Sequence, residues 1–484
     1  MATIKIDQFH GISPRTHPTL LADGMAVTAH NCRLKNGKLV PLRMPERVGD
    51  MIVNLEAGLE RISDARSLFV WKARESTEFL AFGGVCHMAE GNLADDEYSR
   101  IFITGDTGET WNGKENVPVA YIRNGREIIR HPLTKDELPR PLVKLGTAHA
   151  PTPEDQDNIV YTYFVQTWVD QFGWESQQSL TSLSWTGGTT YVDKPLEYND
   201  GDPVEVAALL EDEIPHGGGT ADEPTDGFRR RLYKVVAGSE NGSVRFVAEF
   251  SGADVWKAHT VRMRDEDAGE EIPSFEGIPH DLRNMLYVPG GFYVGFSPSS
   301  PRTVMFSEVD IPTSWPMAYR YDVGDNIVAL AVSGNTVFVL TDGHPYVVSG
   351  TAPESMSAAK LAGPAACVSQ RSTCLYKNAV CYASNVGVCM IASSADLGTT
   401  VNNLTEKIFT KDQWGAYGPN ECLMAQHDGA LFCFFGRESD GGLVIDLQES
   451  ENAVTTHDEK SSCLCIDNAT DELYFVRDSG EEVP

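Results

Sequence analysis

One local pattern recurs along this chain and leaves little room for any fold but a β-rich one. A run of Val, Ile, Tyr and Phe is followed by a short polar turn and then by another such run, often with a third behind it. The pattern occupies SLFVWKARESTEFLAFGG (67–84), MLYVPGGFYVGFSPSSPRTVMFSE (285–308), NIVALAVSGNTVFVLTDGHPYVVSG (326–350), TCLYKNAVCYASNVGVCMIA (373–392), ECLMAQHDGALFCFFG (421–436) and CLCIDNATDELYFVRDSG (463–480). β-Branched and aromatic residues suit a pleated, half-buried surface, and the intervening Gly, Asn and Asp supply turn conformations. Runs this short, with a period near two, do not make amphipathic helices. Convincing helical stretches are few, and PLTKDELPRPLVKL is interrupted by Pro139 and Pro141.

From residue 285 onward these units follow one another as the meander sheets of a β-propeller do. The WD and kelch signatures are missing, and a sandwich or an open barrel would use the same local grammar. The middle of the chain reads differently. A Pro-rich linker leads into YTYFVQTWVDQFGWES, with a turn at Gly173, and RLYKVVAG is joined to a second strand across Asn241-Gly242. These segments resemble strands of a fibronectin type III-like sandwich placed inside the propeller. The expected fold is all-β, with β-propeller-like meander sheets and an inserted fibronectin type III-like β-sandwich. Its parts are an N-terminal arm and hairpin at 1–44, first propeller-like repeats at 45–144, the insert at 145–265, and remaining propeller-like repeats at 266–484.

The arm itself is distinctive. Pro14 and Pro18 remove donors and force extended or turn conformations, and Asn36-Gly37 between CRL and KLVPL is a strong hairpin signal. Nothing in it suggests catalysis; it reads as a segment to be placed against something else. At the other end, ELYFVRDSGEEVP stops where a further strand would close a blade. Either the arm completes that blade, or the native polypeptide continues or is processed. The loops IPHGGGTADEPTDG and RDEDAGEEIP, rich in Gly and acids, are expected to be exposed and mobile.

Charge narrows the function. The 484 residues include 69 Asp and Glu against 39 Lys and Arg, a formal net charge of −30, and the chain reads as anionic throughout. Gripping nucleic acid takes clustered Lys and Arg, so this is not a phosphate-binding surface; it would instead repel DNA and let it pass. MATIKIDQFHG has no apolar core, so no secretory signal is expected, and no run reaches the roughly 18 apolar residues of a membrane span. The ten cysteines are scattered through apolar runs and read as reduced, packed thiols.

Few residues offer reactive chemistry. HExxH, the phosphate-binding G-x-x-x-x-G-K-[ST] and EF-hand spacings are missing, and GFSPS lacks the second glycine of a nucleophile elbow. Cys367, Cys374, Cys381 and Cys389 lack the close pairs of a zinc site, and Cys463 and Cys465 point to one face of a strand as core. Trp71, Trp168, Trp174, Trp315 and Trp414 have the chemistry of sugar platforms but in β-domains more often fill cores. Arg229, Arg230 and Arg231 form the densest basic spot, with Arg229 and Arg231 on one strand face and Arg230 on the other. They suit a soluble strand edge or a contact to an acidic neighbouring subunit. No catalytic, cofactor-binding or metal residues are assigned, and no cofactor is expected.

Taken in order, several segments resemble a family. The N-terminal F.GISPR…L…MA..A.NC.L.NGKLVPLR is similar to the start of a group of tailed-bacteriophage virion proteins. PRTVMFSEVDIPTSWP, IVALAVSGNTVFVLTDGHPYVVSGTAPESM and CVSQRSTCLYKNAVCYASNVGV resemble the propeller segments of phage tail nozzle or hub proteins. The resemblance covers most of the chain outside the insert. It implies a non-enzymatic structural component of the virion tail, made in the host cytoplasm. It also implies a ring, commonly hexameric, below the portal and adaptor. Such a ring would extend the channel through which genomic DNA is ejected without specific binding, and would anchor tail fibres. Two other classes stay open at this stage: a β-propeller glycosidase or depolymerase, marked by two converging carboxylates, and a host-surface carbohydrate-binding protein, marked by exposed tryptophans.

Overall fold

The computed structural model describes residues 9–35, 38–48, 52–56, 58–73, 76–91, 96–133, 141, 145–148, 158–187, 190–208, 228–236, 243–255, 257–274, 276–363, 365–394, 398–436, 441–447 and 453–477. The chain divides into two compact units. One comprises Met1–Pro132, Pro279–Pro312 and Met317–Pro484; the other comprises Leu133–Ile278 and Thr313–Pro316.

The first unit is a β-propeller, and its order can be read strand by strand. Five of its sheets have four strands each in simple meander order, and the first strands of successive sheets neighbour one another in turn. We number the blades along the chain. Blade I pairs Ser67–Ala73 with Ser76–Phe82 and adds Ile52–Leu55 in parallel on the outside. Blade II runs Cys86–Glu90, Ile101–Gly105, Val119–Asn124 and Glu127–Pro132. Blades III to VI begin at Arg283–Val288, Ile327–Ser333, Cys374–Tyr376 and Leu423–His427, each followed by three antiparallel strands. Blade VII is the pair Ser461–Asp467 and Glu472–Arg477. Each quoted unit of the sequence thus becomes one sheet.

Apolar side chains cement every blade to the next, which is how alternation in sequence becomes a ring. Trp71, Leu80 and Phe82 of blade I pack on Ile101, Ile103 and Val119 of blade II. Phe102 and Tyr293 meet edge to face at 5.4 Å between blades II and III. Clusters around Val294 and Val337, around Phe338 and Tyr382, and around Val388 and Leu431 join III to IV, IV to V and V to VI. Phe434 touches Phe475 between VI and VII, and Leu68 and Phe79 of blade I close on Cys463 and Cys465 of blade VII. The ring of seven therefore closes by face-to-face packing. At about 1.5–3 kcal/mol per large buried side chain, these interfaces dominate its stability.

The arm pairs with blade VI rather than with blade VII. Ile12 N–H donates to the Val454 carbonyl at 2.9 Å, and Asn31 N–H donates to that of Thr456 at 2.8 Å. Thr456 N–H in turn donates to the Ala29 carbonyl at 2.9 Å, with His30 and Thr456 in a parallel bridge. The arm thus covers the outer strand Ala453–His457 of blade VI. Gly11 explains the early glycine: it sits at φ +93, and a Cβ there would lie 2.7 Å from the Val454 nitrogen. Only glycine tolerates both the conformation and the approach. The hairpin strands Cys32–Lys35 and Lys38–Pro41 pair as the sequence indicates, while Asn36-Gly37 itself lies outside the described residues.

The second unit is the fibronectin type III-like sandwich. A five-stranded sheet in the order Thr190–Val192, Leu183–Gly187, Leu145–Ala148, Pro203–Ala208, His259–Arg262 shares a core with smaller sheets built on Phe164–Val169 and Ile159–Thr162. Leu145, Phe164, Leu196, Val206 and Leu232 fill it. Arg229–Val235 pairs with Val244–Ser251, and the connecting Asn241-Gly242 lies outside the described residues, as does IPHGGGTADEPTDG. The compact unit extends beyond the bounds of 145 and 265 read from the sequence at both ends, to Leu133 and Ile278. The acidic loop RDEDAGEEIP is tied down: the Glu270 and Val244 carbonyls accept from the Phe246 and Ile272 N–H groups at 2.9 and 2.8 Å.

Candidate functional site

The residue types singled out from the sequence are mostly spent on the fold. Trp71, Trp168, Trp174, Trp315 and Trp414 are all buried. Trp71 donates from Nε1 to the Ser99 carbonyl, and Trp414 to that of Ser384, so both satisfy their polar atom internally. All ten cysteines are free thiols, and Cys374 faces Cys381 across two strands of blade V. Burial pushes the thiols of Cys86, Cys389, Cys463 and Cys465 up, and that of Cys367 to about 12, which keeps them protonated and weak as nucleophiles or ligands. Among the described residues no three His, Cys, Asp or Glu side chains gather in a metal-holding geometry.

The arginine cluster alternates as its spacing demands, but its acidic neighbours belong to the same unit. Arg231 donates to Glu249 at 2.7 Å and to Glu175 at 2.8 Å, and Arg229 to Glu249 at 3.1 Å. Arg230 turns inward, stacks over Phe250 and donates to the Lys257 carbonyl at 3.1 Å. On the same strand Lys234 is buried, with Nζ 2.6 Å from Asp265.

Two hollows lie along the first strands of the propeller. Where these strands begin, a cavity of about 710 Å³ is lined by Arg66, Arg371, Tyr417, Glu421, Ser461 and Ser462. Arg371 dominates it: one guanidinium nitrogen donates to the Ser462 and Arg66 carbonyls at 2.9 and 3.3 Å, and the other to Glu421 at 3.3 Å. A single side chain from the approach to blade V thereby ties blades I, VI and VII. Burial, followed by the charge of Arg66, pulls its pKa down, yet an arginine stays charged at any ordinary pH. Farther along the strands, a hollow of about 650 Å³ runs between Trp71, Lys72, Glu90, Arg100 and Asp467. There Lys72 donates to the buried Asp467 at 2.5 Å, a second tie between blades I and VII.

The feature that sequence reasoning misses is on the N-terminal stretch. It is not anionic: Met1 to Val48 carries seven Lys and Arg against three Asp and Glu. Part of that charge is used internally, since Arg33 and Lys35 both pair with Asp428 of blade VI at 2.9 and 2.8 Å, and His30 and Asn31 both bond Asp458. Beyond the hairpin turn the chain exposes Leu39, Met44, Val48, Ile52, Val53 and Leu55 to solvent, Met44 at 76%. Counting charge in windows along the sequence would reveal the basic bias; the apolar exposure needs the structure. On the insert, Ile159, Tyr161, Leu180 and Trp185 are also exposed.

The sheets of the described residues define a β-propeller of seven blades carrying an inserted β-sandwich. No family model matches the chain, and no curated protein matches it. Among solved structures it is similar to apo AztD from Citrobacter koseri, at 11% identity and TM-score 0.30 over 66% of this chain and 78% of that one. It is also similar to the designed Ika8 protein, at 12% and 0.29 over 61% and 95%, and to Myxococcus xanthus glutaminyl cyclase, at 12% and 0.24 over 40% and 85%. Likenesses at this level carry nothing about activity; the propeller assignment rests on the sheet order above. No helix among the described residues is long and apolar enough to cross a membrane.

Proposed function

We propose that this chain is a non-enzymatic structural component of a bacteriophage tail, a nozzle or hub ring that extends the DNA ejection channel below the portal and adaptor and anchors tail fibres. The observation that carries the reading is the set of exposed apolar residues from Leu39 to Leu55 on a chain with net charge −30. Such a set on an otherwise acidic body suits an assembled particle, where apolar surface is covered by neighbours. The family resemblance of the N-terminal and propeller segments supplies the kind of particle. In this reading homo-oligomeric rings, hexameric as in the resembled family, present an acidic wall that gives genomic DNA phosphates nothing to hold. In this reading the exposed Tyr161 and Trp185 of the insert are among the residues that meet fibre proteins.

Of the support that the sequence lent the two carbohydrate readings, the five tryptophans offered as sugar platforms are core residues, while Trp185 of the insert is exposed. The test is cryo-microscopy of purified particles carrying this chain. The reading expects a closed ring of copies in the tail; a chain missing from the particle, or one that as a monomer degrades a polysaccharide, ends it.

A further inference from the structure

Copies of a protein at −30 repel one another, and a contact that brings opposite charges together offsets that repulsion. The candidate basic surfaces differ in how far they are already used. Arg229 and Arg231 are neutralised by Glu175 and Glu249, and Arg33 and Lys35 by Asp428. Lys38, Arg43 and Arg47, by contrast, are exposed and make no ion pair with any described residue. They are interleaved with the exposed Leu39, Met44 and Val48, and Glu46 is the one acid among them. The chain then forms the strand Ile52–Leu55, which among the described residues is hydrogen-bonded on one side only, to Ser76–Phe82, with Ile52 55% exposed. Unpaired cations, apolar side chains and an open strand edge thus coincide along one short stretch of chain.

We propose that Lys38–Val48 together with Ile52–Leu55 is a docking surface for a second copy of the same chain, and that it seats on the acidic body of that copy rather than on the equivalent stretch. The charge argument selects the occupant. From Gly49 onward the chain carries 32 Lys and Arg against 66 Asp and Glu, so every copy offers the complementary surface at equal concentration. It also selects the geometry. Stretch against stretch would set three cations against three with a single acid on each side, which disfavours a two-fold contact built on this patch. Basic patch on one copy against acidic patch on the next is head-to-tail, the type of contact that closes into rings. Burying Met44, Val48 and Ile52 then supplies the apolar centre, and Lys38, Arg43 and Arg47 the charged rim.

The inference rests on the ring reading only in requiring that copies associate, and one experiment separates the two. The full chain, as equal parts ¹⁴N- and ¹⁵N-labelled protein, is examined by native mass spectrometry and by zero-length carboxyl-to-amine cross-linking. The double variants Arg43→Glu with Arg47→Glu, and Met44→Asp with Ile52→Asp, are compared. We expect multimers for the unaltered chain and mixed-isotope cross-links from Lys38 to Asp or Glu C-terminal to Val48. Both variants should weaken association by on the order of tenfold or more while melting at the unaltered temperature, because the altered side chains are exposed. Salt at about 1 M, where the screening length falls to about 3 Å, should weaken the unaltered multimer too. Multimers that persist in both variants, or cross-links joining stretch to stretch, overturn this inference and leave the ring reading intact. An unaltered chain that stays monomeric at all concentrations overturns both.

Discussion

Arg371 is a polar tie among blades, because its partners come from three other blades and two of them are backbone carbonyls that a mutant deprives of this donor. Hydrogen bonds to charged groups contribute about 1.5–3 kcal/mol each where buried. Arg371→Ala should therefore lower the unfolding free energy by about 2–3 kcal/mol, and Arg371→Lys should recover only part, since a point donor cannot span three acceptors. Denaturant titration of the full chain checks this. Two histidines, His457 buried and His87 half-buried, make the second prediction. Burial lowers His87 and His457 to about 4 from an ordinary 6.5, with Arg283 adding to the effect at His87. A base held neutral by the fold contributes stability above its unfolded value and loses it as pH falls toward the folded one. The melting temperature should thus drop between about pH 6.5 and pH 4, and His87→Gln with His457→Gln should flatten that slope. A pH profile as steep in the double variant contradicts the assignment. The insert offers a third. Removing Asp265 takes the nearer carboxylate from the buried Lys234 ammonium and leaves it Asp200 at 3.7 Å and the Met263 carbonyl at 3.1 Å. Breaking a buried pair costs about 3–5 kcal/mol, so Asp265→Ala should lose part of that in chemical unfolding and Asp200→Ala with Asp265→Ala the larger share, whereas a double variant that loses below about 1 kcal/mol would contradict the pairing.

Among the elements, the arm has one position, Gly11, where its approach to blade VI admits no side chain. Gly11→Val introduces a β-branched side chain at positive φ against the Val454 backbone. A strain on the order of 2 kcal/mol should detach the arm from blade VI. Limited proteolysis should then cut within Ile12–Ala29 while blades I to V stay protected; unchanged protection would mean that the remaining contacts hold the arm. The elements also show what a sequence can convey. Each strand–turn–strand unit is legible because alternation and turn residues act between close neighbours in the chain. Even the faces follow: Cys463 and Cys465 share one buried face of SSCLCID. The arginine faces are legible for the same reason, but their partners are not, since Glu175 lies 56 residues from Arg231. The arm's destination depends on pairings such as Asn31 with Asp458, at opposite ends of the chain, and has no local signal at all. Tying down the acidic loop after Arg264 likewise depends on the strand Val244–Ser251, which polarity alone does not reveal.

As a whole molecule, the chain presents two surfaces of opposite sign, a short basic and apolar stretch and a large acidic body. Among the described residues the propeller ring closes without strand exchange between its ends. Ile12–Lys35 is bound to blade VI, so of the N-terminal stretch it is Lys38–Val48 that the proposed contact with a neighbour uses. Central to the proposed function is that the chain works as a repeated wall element in a tail rather than as a catalyst. The most direct measurement is cryo-microscopy of particles carrying it, at a resolution that traces the seven blades. A closed ring coaxial with the DNA channel is predicted, with Lys38–Val48 and Ile52–Leu55 of each copy against its neighbour's acidic surface. A particle tail that lacks the chain, or holds it as isolated copies away from the channel, would contradict it.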